Sequence, residues 1–153
     1  MSTVFIGGSR RITHLDDAVR ARTKNIVNEG LSIVVGDANG ADKAIQRFLA
    51  DVGYRNVLVF CSGDACRNNL GEWETRQIAS PDGDRDFWFY AAKDIAMSEL
   101  ADYGFMIWDG ESVGTLHNIL NLADKGKLVV VYFTPETRFV NVRTLTELGS
   151  LLR

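Results

Sequence analysis

Short, almost unbroken apolar runs alternate along this chain with stretches of helical period. The runs are Val4-Phe5-Ile6, Leu31 to Val35, Val57 to Phe60, Phe105 to Trp108 and Leu128 to Phe133. They are rich in β-branched and aromatic residues and lack the polar alternation of a half-exposed strand, so they predict strands buried on both faces. Between them, Ala41, Ala44, Ile45, Phe48, Leu49 and Val52 fall on one helix face, as do Leu116, Ile119, Leu120 and Ala123. Leu15, Ala18, Val19 and Ile26 keep the same period more loosely, and Leu145, Leu148 and Leu152 predict a short C-terminal helix. The order is β-α-β-α-β, an irregular piece, then α-β-α-β and that last helix. Parallel crossovers of this kind specify an α/β fold, a three-layer α/β/α sandwich on a mainly parallel sheet of five or more strands. No internal repeat or boundary divides residues 1–153. The piece at about 62–84 has no clean period and predicts an irregular or partly helical insert, with helix over about 69–78.

Composition narrows the function classes. Seventeen basic against twenty acidic residues give a net charge of −3, which leaves no cationic surplus for tracking phosphate backbones. Non-specific nucleic-acid binding is therefore not expected. Cys61 and Cys66 match neither a CxxC redox motif nor half of a zinc site, and a stapling disulfide is not expected in a chain of 153 residues. With no apolar signal region and no long apolar run, the expected location is cytoplasmic, away from membranes.

Fourteen glycines against two prolines is the unusual entry in the composition. Gly30, Gly53, Gly104 and Gly126 fall at helix ends or just before strands, where a left-handed cap is expected. Gly7, Gly8, Gly36, Gly40, Gly110 and Gly114 fall at the C-terminal strand edge, where open α/β sheets bind ligands. Three turns there carry the candidate chemistry. Gly8, Ser9 and Arg10 offer close backbone approach, a hydroxyl and a guanidinium fork to a phosphate. Gly36, Gly40, Ala41 and Asp42 open a helix whose N-terminus suits an anion, and Asp42 either complements the helix dipole or accepts from a ribose or base. Asp37 weakly mimics the ribose-binding acid of dinucleotide folds. Asp109, Gly110, Ser112, Gly114 and Thr115 form a second hydroxyl-rich cradle, with Ser112 and Thr115 also ordinary helix-start residues. Lys93 reads equally as a solvated pair with Asp94 and as a site residue. Phe87-Trp88-Phe89-Tyr90 surround one helical turn and read as packing plus a subunit interface, or else as a base-stacking platform. His14 and His117 stand alone, so no metal and no cofactor is assigned.

GGSRR, GDANGADKA, AAKDIAM and DGESVGT, in this order, resemble the SLOG superfamily, which includes DprA-like proteins, YspA-like proteins and LOG (lysine-decarboxylase-like) phosphoribohydrolases. The YspA-like branch is the most similar, over roughly residues 3–132. The resemblance implies one Rossmann-like domain with strand order 3-2-1-4-5, a homodimer or higher homo-oligomer, and a small-molecule nucleotide or nucleoside-derived ligand held by the turns just named. Asn118 stands where LOG enzymes carry their catalytic glutamate, and a neutral amide stabilises an oxocarbenium-like state far less well than a carboxylate. The expected function is a nucleotide sensor or ligand-binding module. The enzyme alternative is an N-glycosidase or deoxyribosyltransferase using Asp109 or Glu111 as the charged group. A structural subunit docking a partner through Trp73 and Trp88 is the third reading.

Overall fold

A computed structural model describes residues 2–79 and 87–152, and of residues 87–90 the backbone alone. The expected core is present: β1 (Thr3–Gly8), β2 (Ser32–Gly36), β3 (Val57–Ser62), β5 (Tyr103–Trp108) and β6 (Val129–Phe133) are parallel, in the spatial order β3-β2-β1-β5-β6. This is the 3-2-1-4-5 order of a Rossmann-like sheet, with the switch point between β1 and β5. Two further strands extend its edges: β4 (Glu74–Ile78), parallel to β3, and β7 (Arg138–Val142), antiparallel to β6. The full order is β4-β3-β2-β1-β5-β6-β7.

Helices cover both faces. One hydrophobic cluster joins inward residues of α1 (Asp17–Asn28) and α2 (Ala41–Asp51) to one face of the sheet, through Val19, Ile26, Ile45 and Leu49. The other joins α3 (Phe87–Leu100), α4 (Val113–Asp124) and α5 (Leu145–Leu151) to the opposite face, through Met97, Ile119, Leu122 and Leu148. Alternate residues of β1 serve the two clusters, Val4 and Ile6 one and Phe5 the other, which is why the strand reads as an uninterrupted apolar run.

Four expectations are corrected. Residues 74–78 are a strand and not part of a helix: Leu58, Phe60 and Ser62 pair with Glu74, Arg76 and Ile78. Gly104 lies within β5 and caps no helix; a Cβ there would run into Leu122, so helix–sheet packing holds that position small. Gly30, Gly53 and Gly126 do take the left-handed conformation. Cys61 and Cys66 form a disulfide across a Cα separation of 5.1 Å, because the turn after β3 doubles the chain back within bridging distance. Trp73 is buried, donating its indole N–H to the Tyr54 carbonyl at 2.8 Å, and so presents no docking surface. The aromatic side chains of Phe87 to Tyr90, Trp88 among them, lie outside the described residues.

No helix among the described residues is long and apolar enough to cross a membrane.

Candidate functional site

Beyond the paired ends of β1 and β5, at the switch point, lies a cavity of about 560 Å3. Phe5, Gly7 and Gly8 of β1, the turn carrying Arg10 and Arg11, and the first turns of α4 line it together, and the Arg11–Glu111 ion pair at 3.2 Å joins the last two. Lys93, Asp94 and Met97 of α3 close the far side, and Ala38 and Asp42 close the side toward β2. Of the residues singled out in the sequence, Gly8, Arg10, Asp42, Lys93, Asp109, Ser112, Gly114 and Thr115 meet here, with Glu111.

Ser9, Gly36, Gly40, Ala41 and Gly110 do not line the cavity, and each has an internal task. Ser9 is fully buried: its N–H donates to the Ile107 carbonyl at 3.0 Å, and its hydroxyl accepts the Asp109 N–H at 3.2 Å. Its carbonyl accepts the Ala41 N–H at 3.2 Å. The serine thus ties the ends of β1 and β5 to the start of α2. A helix-opening amide that the sequence offered to an anion is consumed in this joint. Gly40 takes φ +82° at the N-cap of α2, and any Cβ there would collide with the Arg10 backbone. At Gly36 a Cβ would meet the Asp42 carboxylate, and at Gly110, with φ +81°, it would fall 3.0 Å from the Phe133 ring. Gly114 differs: a Cβ would meet open space, which suits a position facing the cavity.

The α4 turn is built by its own side chains. The Asp109 carboxylate accepts the N–H groups of Glu111 and Ser112, each at 2.9 Å, and Ser112 caps the helix by accepting the Thr115 N–H at 3.3 Å. Burial pushes the Asp109 carboxyl up, but those N–H bonds outweigh it and hold the group below its ordinary value. Asp109 is therefore an ionised organiser of the turn. Glu111 pairs with Arg11 at 3.2 Å, both largely exposed. Val113 and Gly114 place the N-terminal end of the helix, with its positive dipole end, against the cavity.

Beneath the cavity lies a cluster of buried charges. Lys93, 4% exposed, sits 3.3 Å from the Asp37 carboxylate and 3.9 Å from that of Asp94. Arg67 reaches the same Asp37 oxygen at 2.9 Å and donates its backbone N–H to the other at 2.8 Å. Burial raises the Asp37 carboxyl, yet the Arg67 bonds and the Lys93 charge prevail and lower it. Asp37 therefore serves a buried ion-pair network and is not poised for a ribose. The Lys93 ammonium is engaged by two carboxylates, which removes most of its value as a phosphate anchor. Asp42 is pushed up to about 6, chiefly by burial and against the Lys93 charge, while its carboxylate accepts the Ala38 N–H at 3.3 Å. Burial likewise raises Asp94, opposed by the Lys93 charge and a hydrogen bond from the Asn118 amide.

Sequence reasoning missed the part that α3 and α4 play. Asn118, marked in the sequence only as the residue replacing a catalytic glutamate, lines the cavity with Asp94 and Asn121, and Asn121 sits in an ordinary helical period with no motif to mark it. Asp94 stands beside Lys93 in the sequence, where the two read equally as a solvated pair and as site residues.

No protein-family model matches the chain, and no curated protein is similar to it in sequence. Among solved structures, the fold matches DNA processing protein A of Helicobacter pylori with a TM-score of 0.64 at 18% identity. The fold is DprA-like. The match covers 85% of this chain, which spans 64% of the length of that one. The DNA processing protein is described as having a unique single-stranded DNA binding mode. This finding overturns two expectations together, a small-molecule nucleotide sensor and a small-molecule partner with no non-specific nucleic-acid binding. The physical reason lies in the charge argument. A net charge of −3 bears on affinity for a long phosphate backbone, not on a local site that holds one or two nucleotides of a single strand.

Proposed function

We propose that this chain is a SLOG-type domain that binds single-stranded nucleic acid at the switch-point cleft, admitting one nucleotide of the strand into the cavity. The observation that carries the proposal is the meeting of Gly8, Arg10 and the N-terminal turn of α4 on one rim of an open cavity large enough for a nucleotide. A phosphate at that rim meets a guanidinium, a side-chain-free backbone at Gly8 and Gly114, and the positive end of a helix dipole. Thr115 and Ser112 add hydroxyls beside it. The resemblance of the three glycine turns to SLOG proteins supports the same reading, as does the single-stranded DNA binding described for the DprA-like neighbour.

The buried network fits a binding role better than a catalytic one. Asp109 is held ionised by backbone donors and Lys93 is held by carboxylates, so neither is placed to transfer a proton. The test is fluorescence anisotropy with a labelled single-stranded oligonucleotide. Wild-type protein should bind, and Arg10→Ala should weaken binding about tenfold or more, in line with the loss of a charge-assisted phosphate contact. Unchanged affinity in Arg10→Ala would remove the rim from the proposal.

A further inference from the structure

The rim and the far wall of the cavity differ in chemical character. The rim is cationic and hydroxyl-bearing, whereas the far wall, where α3 packs against α4, presents hydrogen-bond acceptors. Asp94 lines the cavity with its side chain 27% exposed, near enough to a guest to accept from it. Its carboxylate is held in place by the Asn118 amide on one side and by Lys93 at 3.9 Å on the other. Asn118, itself only 7% exposed and lining the same cavity, has an Oδ1 with no hydrogen-bond partner among the described residues. A buried acceptor without a donor is costly to maintain, and native proteins keep few of them.

The Asp94 carboxylate and the Asn118 oxygen seat the N–H donors of a base better than a phosphate, so this wall belongs to the base end of the site. It complements a base with adjacent N–H donors. The Watson–Crick edge of guanine carries N1–H beside the N2 amine, two parallel donors that match the two oxygens of a carboxylate. Thymine and uracil offer one N–H between two carbonyl oxygens, which would face the carboxylate unfavourably. Adenine and cytosine offer one amine beside a ring acceptor.

We propose that Asp94, positioned by Asn118 and Lys93, selects guanine in the strand that occupies the cleft. The inference rests on the nucleic-acid reading above. The charge balance agrees with it. The cleft rim carries two guanidiniums, one of them paired with Glu111, so it contacts few phosphates and base contacts add affinity that phosphate contacts alone do not supply.

The experiment compares, by anisotropy, a labelled oligothymidylate with the same oligomer carrying one central guanine. Wild-type protein should prefer the guanine oligomer by about tenfold, the scale of a bidentate base contact. Replacing that guanine by hypoxanthine, which keeps N1–H and lacks the N2 amine, should remove most of the preference, whatever the folding behaviour of any variant. Asp94→Asn is nearly isosteric and turns one acceptor into a donor; it should abolish the preference, leaving the two oligomers with equal affinity. Equal wild-type affinities for the two oligomers would overturn guanine selection and leave single-strand binding standing. A preference retained with hypoxanthine or in Asp94→Asn would overturn the bidentate assignment. Failure to bind either oligomer would overturn the proposed function itself.

Discussion

Gly40 and Asp42 are separated by one residue, yet they constrain the site in opposite ways. Gly40 is a backbone requirement: at φ +82°, with the Arg10 carbonyl where a Cβ would go, it lets the turn after β1 and the start of α2 pack together. Gly40→Ala should cost about 1–3 kcal/mol, read as a lower melting temperature, and should displace Arg10 enough to weaken oligonucleotide binding. Asp42 is an electrostatic liability. Burial raises its folded-state carboxyl from 3.8 to about 6, so between those values the folded protein holds a proton that the unfolded chain has released. This group's contribution to stability therefore falls as pH rises from about 4 to about 6, and stays low above that. Asp42→Asn keeps an oxygen for the Ala38 N–H and removes the titration. Relative to wild type, the variant should gain melting temperature progressively between pH 4 and pH 6, and a constant difference across that range would contradict the assignment. At this scale the sequence disclosed which residue types gather at the strand edge. It could not disclose how their donors are spent. Ser9 reads as a phosphate ligand because its hydroxyl and amide stand in a glycine turn, but both are consumed in joining β1 to β5 and α2.

Among the elements, the central strands were legible and the edges were not, for one physical reason. β1, β2, β3, β5 and β6 have helices on both faces, so burial writes itself into unbroken apolar runs. β4 has four of its five residues exposed and β7 three of five, and neither carries an apolar run for the eye or a helical period for a template. The loop from 63 to 73 was equally illegible, since its order comes from contacts made across the fold, among them those of one buried residue of α2. The Gln46 amide donates to the Gly36 carbonyl at 2.9 Å and to the Asn68 carbonyl at 3.1 Å, and its oxygen accepts the Leu70 N–H at 2.9 Å. Gln46→Leu fills the same space but leaves those three backbone groups without their partner. A loss of about 2–4 kcal/mol in urea denaturation is expected, with protease cleavage appearing first in the 63–73 loop. A variant as stable as wild type would show that the loop is held instead by the Arg67–Asp37 contacts and the disulfide.

For the whole molecule, the proposed single-strand binding has to be reconciled with a net charge of −3. Binding that depends on many phosphates weakens steeply with salt, because each neutralised phosphate releases a condensed counterion. Here the cleft rim offers Arg10 and Arg11, and Arg11 is shared with Glu111 at 3.2 Å. Lys93 lies below the rim, engaged by Asp37 and Asp94. The proposed binding would then neutralise one or two phosphates, which for single strands corresponds to a slope of log affinity against log salt of about −0.7 to −1.4. Measuring the dissociation constant of a guanine-containing oligonucleotide across a salt series gives this slope directly. Arg10→Ala should lower its magnitude by about 0.7, and Glu111→Gln should raise affinity at low salt by freeing Arg11. A magnitude of 3 or more would require at least about four neutralised phosphates, and hence a basic track elsewhere on the surface. That result would separate the strand-binding surface from the cleft. A shallow slope joined to base preference would place both in it, and would reconcile the proposed strand binding with a net negative charge.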